Sequence, residues 1–265
     1  MRGLAARGLS IGYGGVAIAR GVDLSIQQGE ITCLLGPNGV GKTTLFKTLL
    51  GLLPALGGAV TVDGVDISRM RRADIARVIA YVPQSHPPDF AYTVRDLVVM
   101  GRTAGLGAFK TPGRADIEAA SRALDTLGVA NLADRDATRI SGGQLQLALI
   151  ARALAQEATV IVMDEPTASL DIANRVLVLE TVRSLAERGH AVVMSTHEPE
   201  HAFAVAHFVA ALGPQNHFVA GPVEEVLTDE ELSRLYGVDL RVERAPSGRV
   251  VVGPREKKGS APPVI

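Results

Sequence analysis

Residues Gly36-Pro37-Asn38-Gly39-Val40-Gly41-Lys42-Thr43 satisfy the pattern G-x-x-x-x-G-K-[ST] at every fixed position, and Thr44 follows directly. What flanks the pattern constrains the fold. Ile31-Thr32-Cys33-Leu34-Leu35 is a nearly continuous apolar run, as a strand buried on both faces requires. Leu45, Phe46, Leu49, Leu50 and Leu53 then recur at helical spacing, and Pro54 with Gly57-Gly58 marks the helix end. Strand, glycine turn and helix form the context in which such a loop holds phosphate. Glycines let backbone N–H groups turn inward onto phosphate oxygens, and the helix N-terminus adds partial positive charge. Lys42 is placed to reach β- and γ-phosphates, and the Thr43 hydroxyl to ligate Mg²⁺. A glycine turn that binds nothing is the alternative, and the complete motif in its full context argues against it.

The rest of the chain reads as an α/β core with a helical interruption. Val22-Asp23-Leu24-Ser25-Ile26 alternates with period two. Further strands are expected at Val60–Val62, Val78–Val82, Val160–Met163, Ala191–Ser195 and Phe208–Leu212. Between Val82 and Val160 the apolar stripes Ile117/Ala120/Leu124/Leu127 and Leu147/Ile150/Leu154 predict an all-helical insert at about 86–156. At 265 residues the chain can hold one large core or one domain with an embedded subdomain. The expected division is one domain over 1–240, with the helical insert embedded in it, and a C-terminal extension over 241–265. Gly253 to Ile265, rich in Pro, Gly and Lys, reads as a disordered tail.

Composition excludes several classes. A net charge of −1 offers no electrostatic footprint for nucleic acid or anionic lipid. The single cysteine, Cys33, lies in an apolar run, which predicts an inert buried thiol and no disulfide framework. No opening segment reads as a secretory signal, and no run approaches the ~18 apolar residues of a membrane span. The longest candidate, Ala202 to Leu212, is short and carries His207. The expectation is a soluble chain whose membrane role comes through a partner.

Thr159-Val160-Ile161-Val162-Met163 is an apolar strand running into Asp164-Glu165-Pro166. A carboxylate at the C-terminal end of such a strand lies beside the phosphate loop in an open α/β sheet. Asp164 can hold the magnesium shell, and Glu165, one residue on, can polarise an attacking water. Alone, two acids at a strand end are a weak signal, since a solvated turn looks the same; the phosphate loop gives them meaning.

Ile140-Ser141-Gly142-Gly143-Gln144, lying before Asp164 and opening an amphipathic helix, resembles the signature sequence of the ABC ATPases, usually Leu-Ser-Gly-Gly-Gln. Other elements of that family stand in the same order. Tyr13 resembles the aromatic that stacks on adenine, although it could equally be a turn aromatic among glycines. Gln84, after Val82-Pro83, resembles the Q-loop glutamine, and Ala168-Ser169-Leu170-Asp171 resembles the D-loop. His197, after Ser195-Thr196, resembles the switch histidine. The resemblance spans roughly residues 4–240. It implies ATP and Mg²⁺ as ligands, with Thr43, Gln84 and Asp164 around the metal and Glu165, His197 and Gln84 at the catalytic centre. It also implies a head-to-tail pair, because Ser141, Gly142, Gly143 and Gln144 of one copy would face the γ-phosphate held by the other. Ser169 and Asp171 would lie at the same junction. His86, His190, His201, His207 and His217 form no ligand set.

The interval from Gln84 to Ser141 is of transporter size; chromosome-maintenance ATPases place long coiled coils there. Thr93 to Arg102, Gly221 to Thr228 and Leu235-Tyr236-Gly237-Val238 resemble the importers of metal chelates, among them iron-siderophore, haem, cobalamin and molybdate systems. That subfamily implies transmembrane permease subunits as partners, with a periplasmic or lipoprotein solute-binding protein indirectly, at the cytoplasmic face of the membrane. A permease helix would dock in a groove near Gln84 and the stretch 86–101. An exporter ATPase and a non-transport regulatory or assembly ATPase remain the alternatives.

Overall fold

The structure, a computed structural model, describes residues 3–84, 90–105 and 111–255. The chain opens with β1 (Gly3–Tyr13), β2 (Val16–Gln27), β3 (Ile31–Leu35), α1 (Lys42–Leu49), β4 (Gly57–Val62) and β5 (Val65–Asp66). Next come α2 (Arg72–Val78), β6 (Ile79–Val82), α3 (Val94–Val99), α4 (Arg114–Thr126), α5 (Gly142–Ala155) and β7 (Val160–Met163). The third part holds α6 (Ile172–Glu187), β8 (Ala191–Thr196), α7 (Pro199–Val205), β9 (Phe208–Leu212) and β10 (Phe218–Pro222). It closes with α8 (Val223–Val226), α9 (Asp229–Tyr236), β11 (Leu240–Arg244) and β12 (Val250–Pro254).

Two sheets carry the core. One is antiparallel, in the order β2-β1-β4-β5; the other is mixed, in the order β10-β9-β3-β8-β7-β6, with only β10 antiparallel to its neighbour. The alternation read in Val22–Ile26 belongs to a half-buried strand: Val22, Leu24 and Ile26 face inward and Asp23 and Ser25 do not. The continuous run at β3 belongs to a strand covered twice. Leu34 packs with α1 and the antiparallel sheet, while Ile31, Cys33 and Leu35 pack on the opposite side with α5, α6 and α7. β7 divides the same way, with Val160 and Val162 on one face and Ile161 and Met163 on the other. Burial pushes the Cys33 thiol up to about 12, which makes it inert at neutral pH. Leu45, Phe46 and Leu49 of α1 are fully buried, each burial contributing roughly 1.5–3 kcal/mol.

The described part of the insert is helical, as expected. Thr93 and Asp96 form a capping box that starts α3, and α3, α4 and α5 close a core around Val94, Leu97, Val98, Ala123, Leu124 and Ile150. Residues 85–89 and 106–110 of the insert lie outside the described residues. Two local expectations are corrected. Of the stripe Ile117/Ala120/Leu124/Leu127, Ala120 and Leu124 are buried and Leu127 packs against the same core, but Ile117, in the first turn of α4, is exposed. Val78 ends α2, so the following strand begins at Ile79.

The tail assignment also needs correction at its start. Gly253 pairs with Arg241 and Pro254 with Leu240, and the Arg255 amide donates to Asp239 O. Composition describes what a segment can bury by itself and is blind to a partner strand that supplies backbone hydrogen bonds. Residues 256–265 lie outside the described residues. The β11–β12 hairpin is tied to the body: Val242 N donates to Asp229 Oδ1 (2.8 Å), Val252 N to Glu200 Oε1 (3.1 Å), and Arg255 pairs with Asp229. Truncation after Arg249, which removes β12, is expected to cost about 2 kcal/mol. It should lower the melting temperature by roughly 4–8 °C, read by scanning calorimetry.

Candidate functional site

The phosphate loop is shaped by steric necessity. A methyl group on Gly36 would stand 2.2 Å from Leu212 O, and Gly41, at φ +115°, would place one 2.7 Å from Ile18 Cγ2. Gly39 turns at φ +80°. The loop curls around Lys42, whose Nζ donates to Gly36 O (2.7 Å) and Pro37 O (3.2 Å). Val40 packs against the core below the loop. Gly41 caps α1 without a side chain, so the first-turn N–H groups of Lys42, Thr43 and Thr44 have no capping side chain, the arrangement in which a helix N-terminus favours an anion.

Asp164 is held from three sides. The Thr43 hydroxyl donates to its Oδ2 (2.8 Å), the Ser195 hydroxyl to its Oδ1 (2.6 Å), and the Tyr81 hydroxyl to Oδ2 at 3.4 Å. Burial and the adjacent carboxylate push Tyr81 up to about 12, so it remains a neutral donor. Ser195 Oγ also accepts from Glu165 N (2.8 Å). Glu165 sits at φ +45°, a left-handed conformation costing a non-glycine residue about 1–3 kcal/mol. That turn aims its carboxylate back at the loop. Glu165 Oε1 lies 3.2 Å from Lys42 Nζ and 3.5 Å from His197 Nδ1, and the His197 atom is buried without a hydrogen bond. Lys42, Thr43, Asp164, Glu165 and His197, far apart in sequence, therefore form one cluster.

The remaining candidates stand elsewhere on the surface of the chain. Tyr13, at the end of β1, is 48% exposed, and Gln84 is exposed just beyond β6. Ser141 caps α5: its hydroxyl accepts from Gln144 N, and Gln144 Oε1 accepts from Ser141 N. The Ser141 O–H still has a proton to donate. Gly142 is exposed, whereas Gly143 is buried so closely that a methyl group there would stand 2.1 Å from Asn174 Oδ1. Asp171 caps α6 by accepting from Asn174 N (2.8 Å), and Ser169 turns at φ +60°. Among the described residues, no hydrogen bond or ion pair joins Tyr13, Gln84 or Ser141 to the phosphate loop.

Sequence reasoning missed Ser195, Tyr81 and Asn174. A serine at the end of the apolar run Ala191–Met194 was the signal for the first. Tyr81 and Asn174 carry no signal in the sequence, since their partners are set by strand register and helix packing.

The profile of the ABC transporter family matches residues 19–168. An ABC transporter ATP-binding protein of Haemophilus influenzae is 42% identical over 233 residues, covering 88% of this chain and 89% of that protein. The chain belongs to the ABC transporter ATP-binding family. The molybdate import ATP-binding protein of Haemophilus influenzae is 37% identical, covering 84% of this chain and 83% of its own. A structure described as an inward-facing metal-chelate type ABC transporter is 33% identical, with a TM-score of 0.86 over 97% of this chain and 99% of that one. ABC ATP-binding proteins of transporters hydrolyse ATP to power transport. No helix among the described residues is long and apolar enough to cross a membrane.

Ser195 links both acids without being one, so Ser195→Ala is expected to lower ATP turnover roughly 10–100-fold and to raise the magnesium concentration needed for half activity. A magnesium titration of steady-state ATPase rate reads both; unchanged values would remove Ser195 from the site.

Proposed function

We propose that this ABC transporter subunit powers import of a metal chelate or metal oxyanion, acting as a head-to-tail pair beneath a permease. The observation that carries the hydrolytic part is the Lys42–Glu165–His197 cluster beside Asp164. Lys42 would exchange its contacts with Gly36 O and Pro37 O for β- and γ-phosphate oxygens, while the loop N–H groups hold the phosphate chain. Mg²⁺ suits the donor set: the Thr43 hydroxyl and an Asp164 oxygen are hard ligands 2.8 Å apart, and phosphates and water complete such a shell. Gln84 would join them from the edge of β6. When bound, the metal neutralises charge on the phosphates. Glu165 accepts the proton of the attacking water as the γ-phosphoryl group leaves ADP, and His197 contacts that phosphoryl group.

Exposed groups support a second copy. Ile172, beside Asp171 at the start of α6, is 81% exposed, and Ser141 and Gly142 are exposed with it. Tyr13 would stack on the adenine. For the permease, a groove of about 360 Å³ lies between core and insert, lined by Leu52, Arg72, Ile75, Met100 and Arg152. Burial lowers the Arg152 pKa, a cost that an acidic group on a docked helix would offset. A short amphipathic permease helix would lie in this groove and hold the subunit at the cytoplasmic face of the membrane. A solute-binding protein would act through the permease. The cargo class rests on the stretches 93–102 and 221–238, and on similarity to proteins named for molybdate and metal-chelate transport.

Glu165→Gln is expected to keep ATP affinity, to lose turnover by about 10²–10⁴-fold, and to elute as an ATP-dependent dimer from a sizing column. A monomer at saturating ATP would count against the paired arrangement. In proteoliposomes holding this subunit with its permease and binding protein, ATP should drive uptake of a chelate or oxyanion. Uptake of only a sugar or amino acid, or outward pumping, would overturn the cargo assignment and leave the ATPase intact.

A further inference from the structure

Leu235-Tyr236-Gly237-Val238 stands out in the sequence, yet nothing in the nucleotide chemistry above uses it. Its tyrosine reaches the site indirectly. The Tyr236 hydroxyl donates to His197 O at 2.8 Å, across 39 residues of chain. His197 needs such an anchor, because its ring has little of its own. Nδ1 makes no hydrogen bond and stands 3.5 Å from Glu165 Oε1. Ring direction is therefore left to the short link between β8 and α7. Three of the hydrogen bonds on that link act at Glu198, where N donates to Thr196 Oγ1 (3.0 Å), O accepts from His201 N (3.1 Å) and Oε2 accepts from Arg175 Nη1 (3.3 Å). The bond to His197 itself comes from Tyr236, which donates to His197 O.

The mount behind Tyr236 is stiff. Leu232 and Leu235 of α9 are fully buried, and Gly237, at φ +70°, ends the helix by donating to Ser233 O. Ser233 Oγ accepts from Leu240 N and donates to Leu240 O, locking the helix to β11. Glu231 pairs with His217 in the loop before β10. The hairpin holds the other side of the link, through Val252 N to Glu200 on α7. Burial, with the Glu200 and Glu198 carboxylates nearby, pushes the Tyr236 pKa up, so the hydroxyl remains a neutral donor. Tyr236 also borders a groove of about 550 Å³ whose far wall is Pro37 to Val40 of the phosphate loop.

We propose that Tyr236 is a positioning residue for hydrolysis, holding the His197 backbone so that the imidazole faces Glu165 and the γ-phosphate. The inference rests on the role given to His197 above. Tyr236→Phe removes only the hydroxyl and keeps the packing ring. In the purified full-length chain, kcat for ATP is expected to fall roughly 10–100-fold, as a small misplacement of a catalytic group does. KM should stay within about twofold and the melting temperature within about 3 °C. Nitrogen-15 spectra of the imidazoles, with the His197 signals assigned by their loss in His197→Ala, should show those signals shifted or broadened in Tyr236→Phe.

His197→Ala separates the two readings. Normal turnover in that variant would remove the histidine's own role. Loss of turnover there, with wild-type kcat in Tyr236→Phe, would overturn the positioning inference alone. So would unmoved His197 signals accompanied by a large drop in melting temperature, since Tyr236 would then only brace the fold.

Discussion

In the central sheet Leu35 stands beside Thr196, and Met163 beside Met194, so β3, β8 and β7 run out of strand at nearly the same level. Everything in the site follows from that alignment. The phosphate loop leaves β3, the acid pair leaves β7, and Ser195 and His197 stand at the end of β8. A slip of one residue in either pairing would turn each side chain to the opposite face of the sheet. Both faces are apolar and covered, which lets hydrophobic packing hold the register against the polar groups gathered at its end.

Those polar groups are expensive to bury singly and are nearly all paired. The Lys42 ammonium lies against two carbonyls and Glu165, and the Asp164 carboxylate accepts from three hydroxyls. Glu165 keeps a strained left-handed backbone that the Ser195 hydroxyl holds through its amide. The site thus carries both local strain and preformed electrostatics, an arrangement expected where charge must be stabilised during phosphoryl transfer. The His197 imidazole is the exception, since its backbone is tethered and its ring is not.

Much of this was legible beforehand because its causes are local. The G-x-x-x-x-G-K-T spacing and the apolar runs at β3 and β7 each act within a few residues. Alternation in β2 and continuity in β3 reported how many faces each strand buries. The errors fall where a distant segment overrides local preference. Composition marked Gly253 and Pro254 as tail, yet β11 supplies them with a partner strand. Helical spacing placed Ile117 inward with Ala120 and Leu124, yet the core stops short of the first turn of α4 and leaves it exposed.

The sequence by itself determined the chemistry: a phosphate loop, a paired acid, a histidine after a strand, and the order that marks the ABC family. Tertiary structure decided which groups meet. Ser195 bridges the two acids, Tyr81 supports Asp164, Asn174 closes on Gly143, and Tyr236 holds the histidine loop from the far end of the chain. The physical reason is range. A motif encodes backbone conformation and residue type over a handful of positions, whereas a hydrogen bond between residues tens of positions apart exists only once strand register and helix packing have brought its atoms within about 3 Å.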